Sequence, residues 1–243
     1  IGKNKIITST TNQVVLGNRN MFMYSEDNLG SITNHTTLRS NGDQNYGIYS
    51  SGSVINYGNI DFRNGKGNVG LYSTNKDRVV KNAGNIYVGA SQPREHYSIG
   101  MAGGYYDTNT NTLVNTGNIE NTGNIEVHGE RGIGMYATGY GSKAVNRGNI
   151  YLTGKNSIGM YLDHHATGEN YGTIEATTDA IGAVGAVAMN GAIFKNYGQI
   201  KLLPAVGSIG TYSGKDSITE DNATSGGQTG TVEAGTKHYS RTA

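Results

Sequence analysis

Groups able to do chemistry are concentrated between residues 94 and 175. Asp107-x-Asn109-x-Asn111 spaces oxygen ligands like the start of a calcium loop. Thr112 stands where that loop needs glycine, however, and Asn118 where it needs a bidentate acid. His164 and His165 would hold a transition metal only if other ligands converged on them, and none is evident. Glu126 and Glu175 follow the isoleucine of one repeated phrase, two repeats apart. Stacked repeats would separate them by roughly 9–10 Å, near the outer limit for the carboxylate pair of an inverting glycosidase. Alternating polar positions on a solvated face account for both equally well, and nothing marks either as perturbed. The expectation is therefore no catalytic residue, no metal and no cofactor.

The elements that must position these groups are written as two recurring phrases. The first is Asn56-Tyr-Gly-Asn-Ile60, repeated from Asn28, Asn82, Asn115, Asn121, Asn146, Asn170 and Asn196, with a worn copy at Gln228-Thr-Gly-Thr-Val232. Apart from a local duplication of Asn-Thr-Gly-Asn-Ile-Glu, the period is near 25 residues, the length of one supersecondary unit of a solenoid. The second phrase is Ile158-Gly-Met-Tyr161, with counterparts ending at Tyr49, Tyr72, Ala102, Tyr136 and Tyr212. Met21-Phe-Met-Tyr24 reads as an early version with Phe22 in the glycine slot, and the unit around Ile181 to Ala188 fits in two ways.

Alternation decides strand against helix. Two residues after each motif isoleucine stands Phe62, Val88, Val127, Leu152, Ala176 or Leu202, with a polar or amphipathic residue between. Val54, Val80, Leu113, Ala144 and Phe194, two residues before the asparagine, make a third apolar position. The second phrase is read as burying Ile and Met around an outward Gly. Three short strands per unit describe an all-β, right-handed parallel β-helix of about eight coils and three sheets. Ile60, Ile86, Ile125, Ile150, Ile174 and Ile200 should form one buried column, with the second copy of the duplication in register. Asn and Gly suit the sharp turn because they tolerate left-handed backbone angles, and stacked Asn side chains can bond along the axis.

Composition narrows the function. A length of 243 residues with one uniform period points to a single β-helix segment over 1–243, regular from about 14 to 213 and loop-rich over 214–243. A net charge of +1, with no basic stripe, gives no electrostatic case for nucleic acid. No apolar run is long enough to span a membrane. Absence of cysteine fits the cytosol and also exported chains that avoid oxidation. Without an initiator Met or a leader, the chain reads as a processed or excised segment. Tyrosine, 17 residues against 3 Phe and no Trp, belongs at surfaces with its polar tip in water.

The paired phrases, Asn-x-Gly-x-Ile followed by Ile-Gly-Met-Tyr, resemble the passenger regions of large fusobacterial autotransporter adhesins of type Va secretion. The resemblance covers roughly residues 14 to 240 and implies a rod on the outer bacterial surface, or secreted, acting in virulence or coaggregation. Its partners would be a host cell-surface protein or glycan, or another bacterium. The chain contains no translocator barrel and would be a passenger fragment. The alternatives are a β-helix polysaccharide-degrading enzyme and a purely structural stalk. Against the enzyme, the sequence lacks the clustered Asp and Gly-His-Gly of pectinase-like hydrolases.

Loops that leave regular coils are where solenoids commonly bind. The expected ligand-binding edge therefore comprises Tyr105, Tyr106, Asp107, Tyr140, Asp163, His164 and His165, which follow the second phrase in three successive coils. Arg94, Glu95, His96 and Tyr97 form a secondary candidate. The outward tyrosines 49, 72, 136, 161 and 212 could offer an aromatic strip, but stacking to cover a sheet face explains them without a ligand.

Overall fold

The computed structural model describes residues 6–241. It is a right-handed parallel β-helix with no helix among the described residues. Three parallel sheets of nine strands each run its length: the first from Ile6–Ser9 to Ile218–Glu220, the second from Gln13–Val15 to Thr231–Glu233, the third from Met21–Ser25 to Thr236–Ser240. Nine coils at roughly 4.8 Å make a stack on the order of 40 Å tall. The motif count falls one short because neither of the first two coils carries an in-register Asn-x-Gly copy, and the Asn28 copy stands in the count for only one of them. The stack extends past 14–213 at both ends, and the 214–240 stretch supplies the ninth coil. Of the single-segment span, residues 1–5 and 242–243 lie outside the described residues.

Register follows the isoleucines. Ile60, Ile86, Ile125, Ile150, Ile174 and Ile200 pair in sequence down the second sheet, each fully buried. The duplicated phrase resolves as expected: Ile125 takes the column, while Ile119 moves to the first sheet between Val80 and Ala144. Leu113 therefore is not the core residue of that sheet. It lies exposed in a hairpin formed by the inserted residues. The Asn28 copy is also out of register, since Ile32 pairs with Val54 and Leu38 continues the isoleucine column. In the ambiguous unit, Val184 and Ala186 take the slots of Ile158 and Met160.

The asparagines form the bonded column their repetition suggests. Asn34, Asn56, Asn82, Asn121, Asn146, Asn170 and Asn196 are buried, and each amide donates to the carbonyl oxygen of the next at 2.7–2.9 Å. Burial in a low-dielectric interior makes complete pairing of such groups essential. A second ladder of Asn149, Asn124, Asn85 and Asn59, spaced 2.9–3.0 Å, runs outside it.

Two expectations about glycine are corrected. No motif Asn or motif Gly has a left-handed φ. The glycine is required for space: a Cβ on Gly172 would lie 2.0 Å from the carbonyl oxygen of Gly148, one coil back. In the second phrase the glycine faces the core. A Cβ on Gly134 would meet the Gly159 carbonyl oxygen at 2.6 Å and Ile150 Cγ2 at 2.7 Å. Strand pairing skips that glycine, as in Ile133↔Ile158 followed by Met135↔Met160. Alternation therefore slips by one residue, Gly and Met turn inward, and the Ile turns outward with the Tyr.

Candidate functional site

The outer face of the third sheet carries two parallel outward columns. Tyr24, Tyr49 and Tyr72 stack at 5.5 and 5.0 Å between ring centres and Tyr212 on Tyr239 at 5.4 Å, while Tyr136 and Tyr161 lie 5.7 Å apart with rings tilted by 38°. Ala102 and Val187 interrupt the column in coils four and seven. Burial pushes the Tyr136 hydroxyl up to about 12, and raises Tyr72 and Tyr161 as well. Beside the tyrosines runs the outward isoleucine column.

Over coils four to six these columns become the floor of a groove of about 560 Å³. Ile99, Ile133 and Ile158 form one side of the floor, with Tyr136 and Tyr161 on the other. Tyr97, exposed at the end of the 92–97 turn, forms a wall. Arg131 and Asn156 stand at one end, in turns with φ of +57° and +54°, and Asp163 stands at the opposite end.

Asp163 joins this groove to the expected edge. Its carboxylate accepts hydrogen bonds from the Asn190 amide at 2.7 Å and the His164 backbone N–H at 2.9 Å. His164 Nδ1 is 3.0 Å from the other carboxylate oxygen but off line for a hydrogen bond, which leaves this buried ring nitrogen without a hydrogen-bond partner among the described residues. After coil four the chain leaves the stack as an antiparallel hairpin, Tyr105–Asp107 with Thr112–Asn115. Leu113 lies over Gly139, whose positive φ and lack of Cβ make room for it. The hairpin thus crosses coil five, and the Tyr106 ring stacks on His164 of coil six at 3.7 Å and 19°. His164 and His165 have φ of +46° and +64°, uncommon for residues with a Cβ.

The structure brings together Tyr106, Asp163 and His164 of the expected edge. Tyr105 is 48 % exposed and Tyr140 80 % exposed, each presented to solvent. Asp107 is spent on its own turn: the Asn109 N–H and the Thr110 hydroxyl bond its carboxylate at 2.9 Å and hold it below the usual carboxylate range. The calcium-like spacing is thus a hairpin turn with Asn111 at φ +54°. His165 packs toward Gly191. In the secondary loop, Arg94 sits at the tip with φ +63°, Gln92 Nε2 donates to Glu95, and His96 closes the turn against Gln92. Only Tyr97 of that loop reaches the groove. Sequence reasoning missed Ile99, Arg131, Ile133, Asn156 and Ile158. For the isoleucines the signal was the phase slip at each second-phrase glycine, invisible to a strict period of two, whereas Arg131 and Asn156 stand in the turns before the phrase.

The family description "BigA third pectate lyase-like domain" matches residues 1–173. The chain belongs to that family. No curated protein and no solved structure matches it. The matched span includes the groove, the hairpin and the Asp163–His164 pair. Membership of the BigA domain family supports a passenger segment of a bacterial surface protein. "Pectate lyase-like" states a likeness of fold and assigns no catalytic residue in this BigA-type domain.

Other titratable groups are spread along the faces of the stack. Glu126 and Glu175 flank Tyr151 in one outward column, and Glu126 lies 2.7 Å from His128 Nε2. Among the described residues no three His, Cys, Asp or Glu side chains are placed to hold a metal ion. No helix among them is long and apolar enough to cross a membrane.

Proposed function

We propose that this chain is a non-enzymatic adhesive segment of a bacterial surface protein. It would contact a host cell-surface protein or glycan, or another bacterium, through the third-sheet side of coils four to six. The observation that carries this reading is the convergence there of a 560 Å³ groove, an inserted hairpin and two positive-φ histidines on an otherwise regular stack. Departures of this kind in a rigid scaffold are where binding residues concentrate. The finer placement, in a type Va passenger of fusobacterial kind, rests on the paired phrases.

The test is attachment of the recombinant segment to host cells and partner bacteria, with sugar or amino-acid competitors. A combined Tyr105→Ala, Tyr106→Ala and His164→Ala variant should keep the fold, since none fills a core column, and lose most attachment. Absence of attachment by the unmodified segment would leave the structural-stalk reading, which the uniform interior columns favour. Incubation with uronic-acid polymers should yield no new reducing ends. Turnover abolished by Glu126→Gln or Glu175→Gln would instead make the chain an enzyme.

A further inference from the structure

The groove itself has properties that select among ligands. Asn156 and Asp163 are seven steps apart along nearly extended chain, so the floor is roughly 20 Å long, and three coils make it roughly 10 Å across. Its volume of about 560 Å³ falls within the range of small-ligand clefts, about 300–1,000 Å³. Floor strands already use their backbone groups in the sheet, pairing Ile99 with Ile133 and Ile133 with Ile158. An extended peptide would find no free edge to extend, which removes the main-chain contribution that such recognition uses. Nine lining residues fall well short of the about 20–30 per side of a stable protein interface.

What remains is recognition by side-chain faces and hydrogen-bonding tips. Aliphatic and tyrosine surfaces form the floor, while Asn156, Asp163 and the tyrosine hydroxyls supply donors and acceptors around it. Asp163 is pre-set by the Asn190 amide and the His164 N–H, so an incoming hydroxyl meets an acceptor already fixed in place. One cation and one anion stand at opposite ends, and Glu130 at 3.7 Å offsets Arg131, so the groove offers an anionic ligand no unopposed positive charge. A ligand with apolar ring faces, many hydroxyls and no charge matches this set.

We propose that the groove binds a short neutral oligosaccharide, with Ile99, Ile158, Tyr136 and Tyr97 taking the sugar faces and Asn156 and Asp163 taking the hydroxyls. This rests on the adhesive reading and deepens it by naming the ligand class and moving the contact from the hairpin edge to the sheet face. Tyrosine suits the role because it presents large area at small rotamer cost.

The experiment titrates the isotope-labelled chain with neutral di- to tetrasaccharides of hexose and N-acetylhexosamine units, alongside sialylated and uronic counterparts. Amide shifts should cluster at Tyr97, Ile133, Asn156 and Tyr161. Tyr97→Ala and Asp163→Asn should each weaken binding by roughly tenfold, the scale of a lost stacking contact or charged hydrogen bond, with circular dichroism unchanged. Binding of the anionic sugars alone, shifts mapping elsewhere, or affinity untouched by both variants would overturn the assignment. Cells attaching while no sugar binds would also overturn it and leave the adhesive reading standing. Sugar binding in the groove without attachment to any cell would uphold the site and remove the adhesive reading.

Discussion

The interior columns and the third-sheet surface of coils four to six are built from the same phrases and obey opposite rules. Inside, each residue's environment is the same residue one coil away, so Asn pairs with Asn and Ile with Ile through coil after coil. On the surface, features arise where repetition fails. Ala102 interrupts the tyrosines, a turn lifts Tyr97 over the groove, and a hairpin carries Tyr106 across a coil. Stacking demands sameness and recognition demands difference, so one chain can hold both only by assigning them to opposite sides of the strand.

Substitutions can break that division. Gly172→Val should be the most damaging, costing about 3 kcal/mol or more and abolishing soluble expression, because its branches enter space held by the Gly148 carbonyl. Recovery of soluble protein with an unchanged melting curve would contradict the packed-glycine account. Ile150→Ala, at a fully buried position, should cost about 2–5 kcal/mol by urea titration. Asn146→Ala should cost about 2–3 kcal/mol, since it strips partners from Asn121 and Asn170 and leaves buried groups unpaired. An Asn149→Ala change in the outer ladder should cost distinctly less, which measures how far burial sets the value.

Surface changes should be milder. The Tyr136 hydroxyl is raised from 10.0 to about 12, chiefly by burial, so the folded state prefers the protonated form. That contribution is complete below pH 10.0 and disappears as pH rises through about 12. Tyr136→Phe should therefore lessen the loss of stability on alkaline titration, and an unchanged slope would show that the hydroxyl is not desolvated. The edge variant combining Tyr105→Ala, Tyr106→Ala and His164→Ala should have the smallest thermal effect, a shift of about 2–4 °C for each kcal/mol lost with the Tyr106–His164 stack.

Much of this was legible from sequence. The period, the parallel sheets, the buried isoleucine column and the bonded asparagines all follow from spacing and side-chain type. The in-register copy of the duplication was legible from the eight-residue step from Ile125 to Ile133, matched by that from Ile150 to Ile158. Asn28 misled because its local pattern matches the motif while the strand it opens pairs in the first sheet. Asp107 was placed at the binding edge, whereas its carboxylate closes the hairpin turn.

What the sequence determined by itself is whatever depends only on the neighbouring coil. Because each repeat meets a copy of itself, a column of identical letters already specifies its own contacts, and the Asn and Ile columns need no further information. Tertiary structure alone decided which way the second-phrase glycine faces and where the inserted hairpin lands. The first depends on a slip in alternation forced by the approach of a carbonyl and an isoleucine methyl from adjacent strands. The second depends on Gly139 leaving space for Leu113, so that Tyr106 reaches a histidine 58 positions further along the chain. Neither partner stands at a repeat interval, and no periodicity in the sequence could have paired them.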